Sequence, residues 1–328
     1  MFLLGADYRP AFRKVENRTM ADSTNKSGIL DASTLKRIRV EPDKKIRLKD
    51  HDPKWTLRHE LGTGSEEAVK EQSKKILQEN LNRLARAQEL LYASGTHAVL
   101  IVLQAMDAAG KDGTIKHVMS GVNPQGCRVS SFKSPSPEEL AHDFLWREAK
   151  SLPARGQIGI FNRSHYEEVM VTKVHPELLA RQHLDIGKVN KKFWKQRYQD
   201  INSFERHLAR NGTVILKFFL HMSKEAQKTR FLERLEDPKK FWKFSLADMA
   251  ERQYWKSYMK AYEEALSETS TSWAPWYVIP ADHKWSARVL VAEVIEGAIG
   301  ALHLKNPEPS EEQVRQIKKA KAALMSKE

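Results

Sequence analysis

Ala98–Leu103 is an unbroken apolar run, partly β-branched, and a glycine-containing stretch follows it closely: Ala105-Met106-Asp107-Ala108-Ala109-Gly110-Lys111-Asp112-Gly113. A run with no polar alternation suits a strand covered on both faces, as in a parallel sheet. Parallel strands need crossovers, usually helical, so this one segment already favours an α/β chain. Cys127–Phe132, Gln157–Phe161, Thr213–Leu220 and Trp276–Ile279 read as four more strands. Between them, residues 65–92, 197–210, 222–236, 245–268 and 284–303 read as helices. Further helical starts are expected at Thr114, at Ser136-Pro137-Glu138-Glu139, and at Ser164, taken as the cap of its helix. The expectation is a three-layer α/β fold, a parallel five-stranded sheet flanked by helices.

The 328 residues suit one large domain with additions, and 41% hydrophobic content is enough for its core. Lys plus Arg total 55 against 42 for Asp plus Glu, a net charge of +13, which attracts anions without choosing among them. Cys127 is the lone cysteine, so no intrachain disulfide or cysteine metal cluster can form. The opening MFLLGADYRPAFRK is too short and too polar for a signal peptide, and no run reaches the roughly 18 apolar residues of a membrane span. A cytoplasmic protein is expected. Residues 1–46 read as a partly flexible extension, with Met20 as a second plausible start. Residues 47–303 read as the main domain, with a lid at about 221–268, and residues 304–328 as a charged helical tail.

The strand-to-helix setting of residues 105–113 suits phosphate binding. Closely spaced N–H groups, a helix N-terminus and a mobile cation together hold an anion. Ala109, Gly110, Asp112, Gly113 and Thr114 would line that loop, and Lys111 would reach the terminal phosphate. The match to the general phosphate-loop pattern is imperfect: Ala105 stands where glycine is wanted, and Asp112 where Ser or Thr should follow the lysine. Thr114 or a carboxylate, Asp107 above all, would then have to replace the missing metal-binding hydroxyl. The third strand ends in Phe161-Asn162-Arg163-Ser164, where ligands sit in parallel sheets. Arg163 can fork across two phosphate oxygens, though taken alone it reads equally well as a surface ion pair. Asn162 can order a metal-bound water, and Glu167 can return to the same crevice. Lys224, Lys228, Arg230 and Arg234 recur at helical spacing, either as a cationic lid or as a solvated helix. Phe132, Phe144 and Trp146 could stack on a nucleobase, but would serve as readily in the core.

Five blocks carry a specific resemblance: AMDAAGKDG at 105–113, FKSPSPEELAHDFLWR at 132–147, FNRSHYEEV at 161–169, KFFLHMSKEAQKTRFLERLEDPKKFWKFSLAD at 217–248 and WAPWYVIPADHKWSARV at 273–289. In this order the chain, from about residue 60 to 300, resembles the polyphosphate kinase 2 family. The resemblance implies a thymidylate-kinase-like P-loop kinase fold with a helical lid. It implies Mg²⁺-dependent, reversible phosphoryl transfer between inorganic polyphosphate and AMP, ADP or ATP, and a homodimer or homotetramer. Its phosphate loop falls on Asp107, Gly110, Lys111, Asp112 and Gly113. Its second motif falls on Asn162, Arg163 and Glu167, and its lid cations on Lys224, Lys228, Arg230 and Arg234. Many relatives carry Asp at position 162. Asn there resembles the branch acting on both mono- and diphosphates, and shifts metal binding toward Asp107 and Glu167. The catalytic residues expected are Asp107, Lys111 and Arg163. Two other readings remain: an ATP-dependent nucleotide or small-molecule kinase, and a non-catalytic polyanion or RNA binder. No RNA-reading motif and no membrane role are expected.

Overall fold

A computed structural model describes residues 31–62, 64–182 and 187–326; the expectations about residues 1–30 and the Met20 start lie outside these. In chain order the elements are α1 (Ala32–Ile38), α2 (Glu66–Ser94), β1 (Ala98–Gln104), α3 (Lys111–Val118), β2 (Cys127–Ser131), α4 (Pro137–Leu140), α5 (Trp146–Ala149), β3 (Ile158–Asn162), α6 (Glu167–Val174), α7 (Lys191–Arg210), β4 (Thr213–His221), α8 (Lys224–Glu236), α9 (Leu246–Ala250), α10 (Trp255–Thr269), β5 (Trp276–Pro280), α11 (Lys284–Gly300) and α12 (Glu311–Met325). The five strands form one parallel sheet in the order β2-β3-β1-β4-β5.

All seven residues of β1 are buried, the consequence of its unbroken apolar sequence at the sheet centre. Alternate side chains feed two cores. Val99, Ile101 and Leu103 face Leu84 and Leu91 of α2 and Val289, Leu290 and Val294 of α11. Leu100 and Val102 face Val169 and Met170 of α6, Tyr198 and Ile201 of α7, and Leu266 of α10. Helix α2 starts where Ser65 accepts the Ala68 N–H and stops at Gly95, whose φ of 57° terminates the helix in the left-handed region.

Several expectations need correction. α3 begins at Lys111 rather than Thr114, because Gly110, at φ 104°, turns the chain straight into the helix. Ser164 is no helix cap: it is fully buried, and its Oγ accepts from Gln104 and from the Tyr166 N–H. The 245–268 segment is α9, a 3₁₀ turn at Glu251–Tyr254 and then α10, not one helix. The described end of the N-terminal extension is docked on the sheet. Val40 donates to the Trp276 carbonyl at 2.8 Å, with Ile38 and Val40 buried. This shields the outer edge of β5. Among the described residues no helix is long and apolar enough to cross a membrane.

Candidate active site

The register aligns Leu103 near the end of β1 with Asn162 at the end of β3. Two loops therefore leave the sheet side by side, at its carboxyl edge, where chain order switches from β3 to β4 across β1. Ala108 (φ 65°) and Arg163 (φ 64°) both adopt left-handed backbone, a strain of about 1–3 kcal/mol each that the surroundings must hold. The Arg163 N–H is held by the Leu103 carbonyl at 3.1 Å, which ties the second loop to the base of the first.

The side chains meet across this gap. Arg163 Nη2 donates to Asp107 at 2.9 Å, and its Nη1 lies 3.7 Å from Glu167. Burial works against the Arg163 charge, but Glu167 and Asp107 outweigh it and raise its pKa. Burial raises the Glu167 carboxyl, opposed by Arg163 and Lys111. Lys111 Nζ rests on the Ala105 carbonyl at 3.0 Å; burial lowers its pKa against the pull of Asp107. Asn162 donates to Asp112 at 2.7 Å, linking the β3 end to the first turn of α3. The expected loop residues Ala109, Gly110, Gly113 and Thr114 lie beside Lys111, with Ala109 and Thr114 buried.

Arg230, read from the sequence as a lid cation, is largely buried and braces two loops while lining a second cavity. Nη1 donates to the Ala108 and Ala109 carbonyls at 3.0 and 2.8 Å, and Nη2 to Ala281 and Asp282 at 2.5 and 3.0 Å. Gln227, one turn earlier, donates to the Asp107 carbonyl at 2.9 Å. Arg234 bonds the Lys243 carbonyl and lies 3.9 Å from Asp248, while Lys224 and Lys228 are exposed on α8.

A crevice of about 520 Å³ opens beside these groups, walled by Asp107, Arg163, Glu167, Val171, Asp248 and Tyr262 among others. Phe132, Phe144 and Trp146 do not line it. Phe132 is in the core, edge-on to Phe161 at 4.9 Å. The Arg197 guanidinium covers Phe144 at 4.4 Å, and Trp146 is stacked between His142 and Lys150. Among the described residues no three acidic, His or Cys side chains form a ready metal cage. Asp107 and Glu167 are nevertheless hard oxygen donors against one crevice. That set fits Mg²⁺, which commonly takes one or two carboxylates and leaves its other positions to water and phosphate.

Two features escaped the sequence reading. Behind Arg163, Lys217 of β4 is fully buried and donates to Tyr166 Oη, Glu205 Oε2 and the Thr269 carbonyl at 2.8, 2.6 and 2.7 Å. Burial pushes the Glu205 carboxyl up, but Lys217 and His165 hold it below its usual value. The lone lysine inside TVILKFFL was the available signal. The other feature is a cavity of about 830 Å³ between α2, α3, α8 and the start of α11, with Arg230, Lys284 and Arg288 in its wall.

Comparison with known proteins agrees with this architecture. Residues 67–307 match the model of the family described as Polyphosphate kinase 2. The chain is 55% identical over 240 residues to the ADP-polyphosphate phosphotransferase of Rhodopseudomonas palustris, covering 73% of this chain and 83% of that one. It is 46% identical over 275 residues to the AMP/ADP-polyphosphate phosphotransferase of Meiothermus ruber, covering 84% and 96%. The crystal structure of polyphosphate kinase 2 from Arthrobacter aurescens superposes with a TM-score of 0.77 at 40% identity, covering 89% of this chain and 95% of that one.

Proposed function

The chain belongs to the polyphosphate kinase 2 family, and from that premise we propose that it transfers the terminal phosphoryl group of inorganic polyphosphate to AMP and ADP, reversibly. The observation that carries this reading is the junction of two loops at one sheet edge, where Arg163 reaches Asp107 above Lys111.

The donor's terminal phosphate sits at the N-terminus of α3, against the Gly110–Gly113 backbone and Lys111. The acceptor enters through the 520 Å³ crevice. An oxygen of its terminal phosphate forms the new P–O bond while the donor's terminal anhydride bond breaks, leaving the chain one phosphate shorter. Lys111 and Arg163 offset the charge spread over the transferring group. Asp107 orients the acceptor, whose phosphate oxygen is largely ionised near neutral pH, so strong base catalysis is unnecessary. Asp107 and Glu167, with Asn162 acting through water, would hold Mg²⁺, which would supply Lewis-acid polarisation of the phosphates when bound.

One relative is named for ADP alone and another for AMP and ADP. Asn162, whose amide donates to Asp112, favours the wider range, since an amide binds a cation less tightly than a carboxylate and leaves the phosphate path adaptable. The sheet order and the helices after β4 support a thymidylate-kinase-like arrangement in which residues 221–268 act as a lid. We further propose a cytoplasmic homodimer or homotetramer without a specific nucleic-acid partner. The test is to offer AMP and ADP separately with Mg²⁺ and long-chain polyphosphate and to resolve the products. AMP should give ADP first and ATP later. Turnover with a nucleoside triphosphate donor alone would make this an ATP-dependent kinase, and polyphosphate binding without turnover would make it a polyanion-binding protein.

A further inference from the structure

The loop after β1 makes a tight turn before it reaches Lys111. The Ala109 N–H donates to the Met106 carbonyl at 3.2 Å, closing a β-turn whose third residue, Ala108, has φ 65° while Asp107 keeps a negative φ. That is the type II form, which favours glycine at its third position. A type I turn would join the same two ends with both central φ negative, and it differs by turning over the peptide between Asp107 and Ala108. Alanine at this position favours the other form, so a group outside the turn has to hold the one observed. We propose that Gln227 is that group, and that it is thereby a positioning residue for phosphoryl transfer. The proposal rests on the reading of the reaction given above.

Gln227 is 1% exposed on α8, and its Nε2 donates to the Asp107 carbonyl at 2.9 Å. This carbonyl belongs to the one peptide whose inversion separates the two turn forms. The peptide is trans, so its N–H, that of Ala108, points the opposite way, away from α8. That N–H meets no acceptor among the described residues, which leaves it for a phosphate oxygen in the same loop as Lys111. Arg230 grips the carbonyls of Ala108 and Ala109, but these sit on peptides that keep their direction in both forms. Gln227 is itself held. Arg252, in the 3₁₀ turn at Glu251–Tyr254, donates to Gln227 Oε1 at 2.6 Å and to the Lys224 carbonyl at 3.2 Å. A guanidinium only donates, so it fixes the amide with its oxygen toward Arg252 and its NH2 group toward Asp107. Neither Gln227 nor Ala108 lines the acceptor crevice. The contact they supply therefore falls on the transferring phosphate and not on nucleotide binding.

The test reads kcat with saturating polyphosphate, ADP and Mg²⁺, and the KM for ADP beside it. Gln227→Met keeps the side chain's length but not its donor. It should lower kcat about tenfold while the KM for ADP stays within about twofold of the parent. In the Ala108→Gly background, where a positive φ has no Cβ penalty, the same substitution should cost less than about threefold. A packing role alone would cost the same in both backgrounds. Arg252→Met, at a half-buried position, serves as the second variant and decides the matter if Gln227→Met does not fold. It should cost about threefold in kcat, and less in the Ala108→Gly background. Equal costs in the two backgrounds, or a loss confined to the KM for ADP, overturn the role of Gln227 and leave the reaction standing. A parent enzyme that turns over no polyphosphate overturns both.

Discussion

Two clusters of charge flank the loops that follow β1 and β3, and they are built on opposite rules. Behind Arg163, Lys217 uses its three ammonium donors on Tyr166, Glu205 and a carbonyl, and Glu205 takes a further bond from Tyr166 at 2.7 Å. Lys217, Tyr166 and Glu205 are satisfied from within the chain, although neither buried ring nitrogen of the neighbouring His165 has a hydrogen-bond partner. In the cavity beside α3, Arg288 and Lys284 face space with little internal compensation. A saturated network has nothing left for a ligand and serves to fix the turn that carries Arg163. An unsaturated one carries electrostatic cost in the empty protein, which a polyanion relieves. The difference separates structural from functional charge more sharply than residue type does.

The largest way to break this contrast is Lys217→Ala. It strands Glu205 as a buried uncompensated carboxylate and should destabilise the fold by about 3–5 kcal/mol, read as a lowered urea midpoint. Lys217→Met combined with Glu205→Leu should recover much of the loss; if the single variant costs under about 1 kcal/mol, the network is not the structural element described.

Next comes Lys111→Ala, which removes a cation that strengthens its contact in the transition state. A loss of over a hundredfold in kcat, roughly 3 kcal/mol, is expected with little change in denaturation midpoint. Near-parent turnover in the folded variant would remove Lys111 from the chemistry.

The smallest effect sharpens the contrast from the cavity side. Arg288→Gln takes away a half-buried charge that no described residue partners. Stability should stay within about 0.5 kcal/mol of the parent, or rise, while the KM for polyphosphate increases by about tenfold, or 1.4 kcal/mol. A marked loss of stability would assign Arg288 to the structural class instead.

How much of this was legible in the sequence depended on range. Largely apolar runs marked β1, β3, β4 and β5, because strands buried on both faces need no partner to be recognised; β2, the edge strand CRVSS, is mostly exposed and has no such run. The phosphate loop was legible since its parts, from Ala105 to Thr114, are contiguous. Helical spacing on α8 revealed a basic face but not what Arg230 meets. Its acceptors, Ala108, Ala109, Ala281 and Asp282, come from two distant loops. The α3 cavity was invisible for the same reason, since Lys70 and Arg288 are brought together only by the packing of α11 on α2. Phe132, Phe144 and Trp146 were ambiguous because aromatic rings suit a core and a base equally; other side chains already occupy their faces.

Arg230 and Gln227 make α8 part of the chassis. Four hydrogen bonds from Arg230 and one from Gln227 join the helix to the phosphate loop and to the loop after β5. Swinging α8 as a door would break all five at once, each worth about 1 kcal/mol. If residues 221–268 include the lid proposed above, the part free to swing would lie beyond α8, which ends in extended backbone at Asp237. That part carries Asp248 and Glu251, which border the 520 Å³ crevice, and Arg252, which donates back to the Lys224 carbonyl and to Gln227 Oε1 at 3.2 and 2.6 Å. Such an opening would leave the bonds from α8 to the loop at 107–109 unbroken.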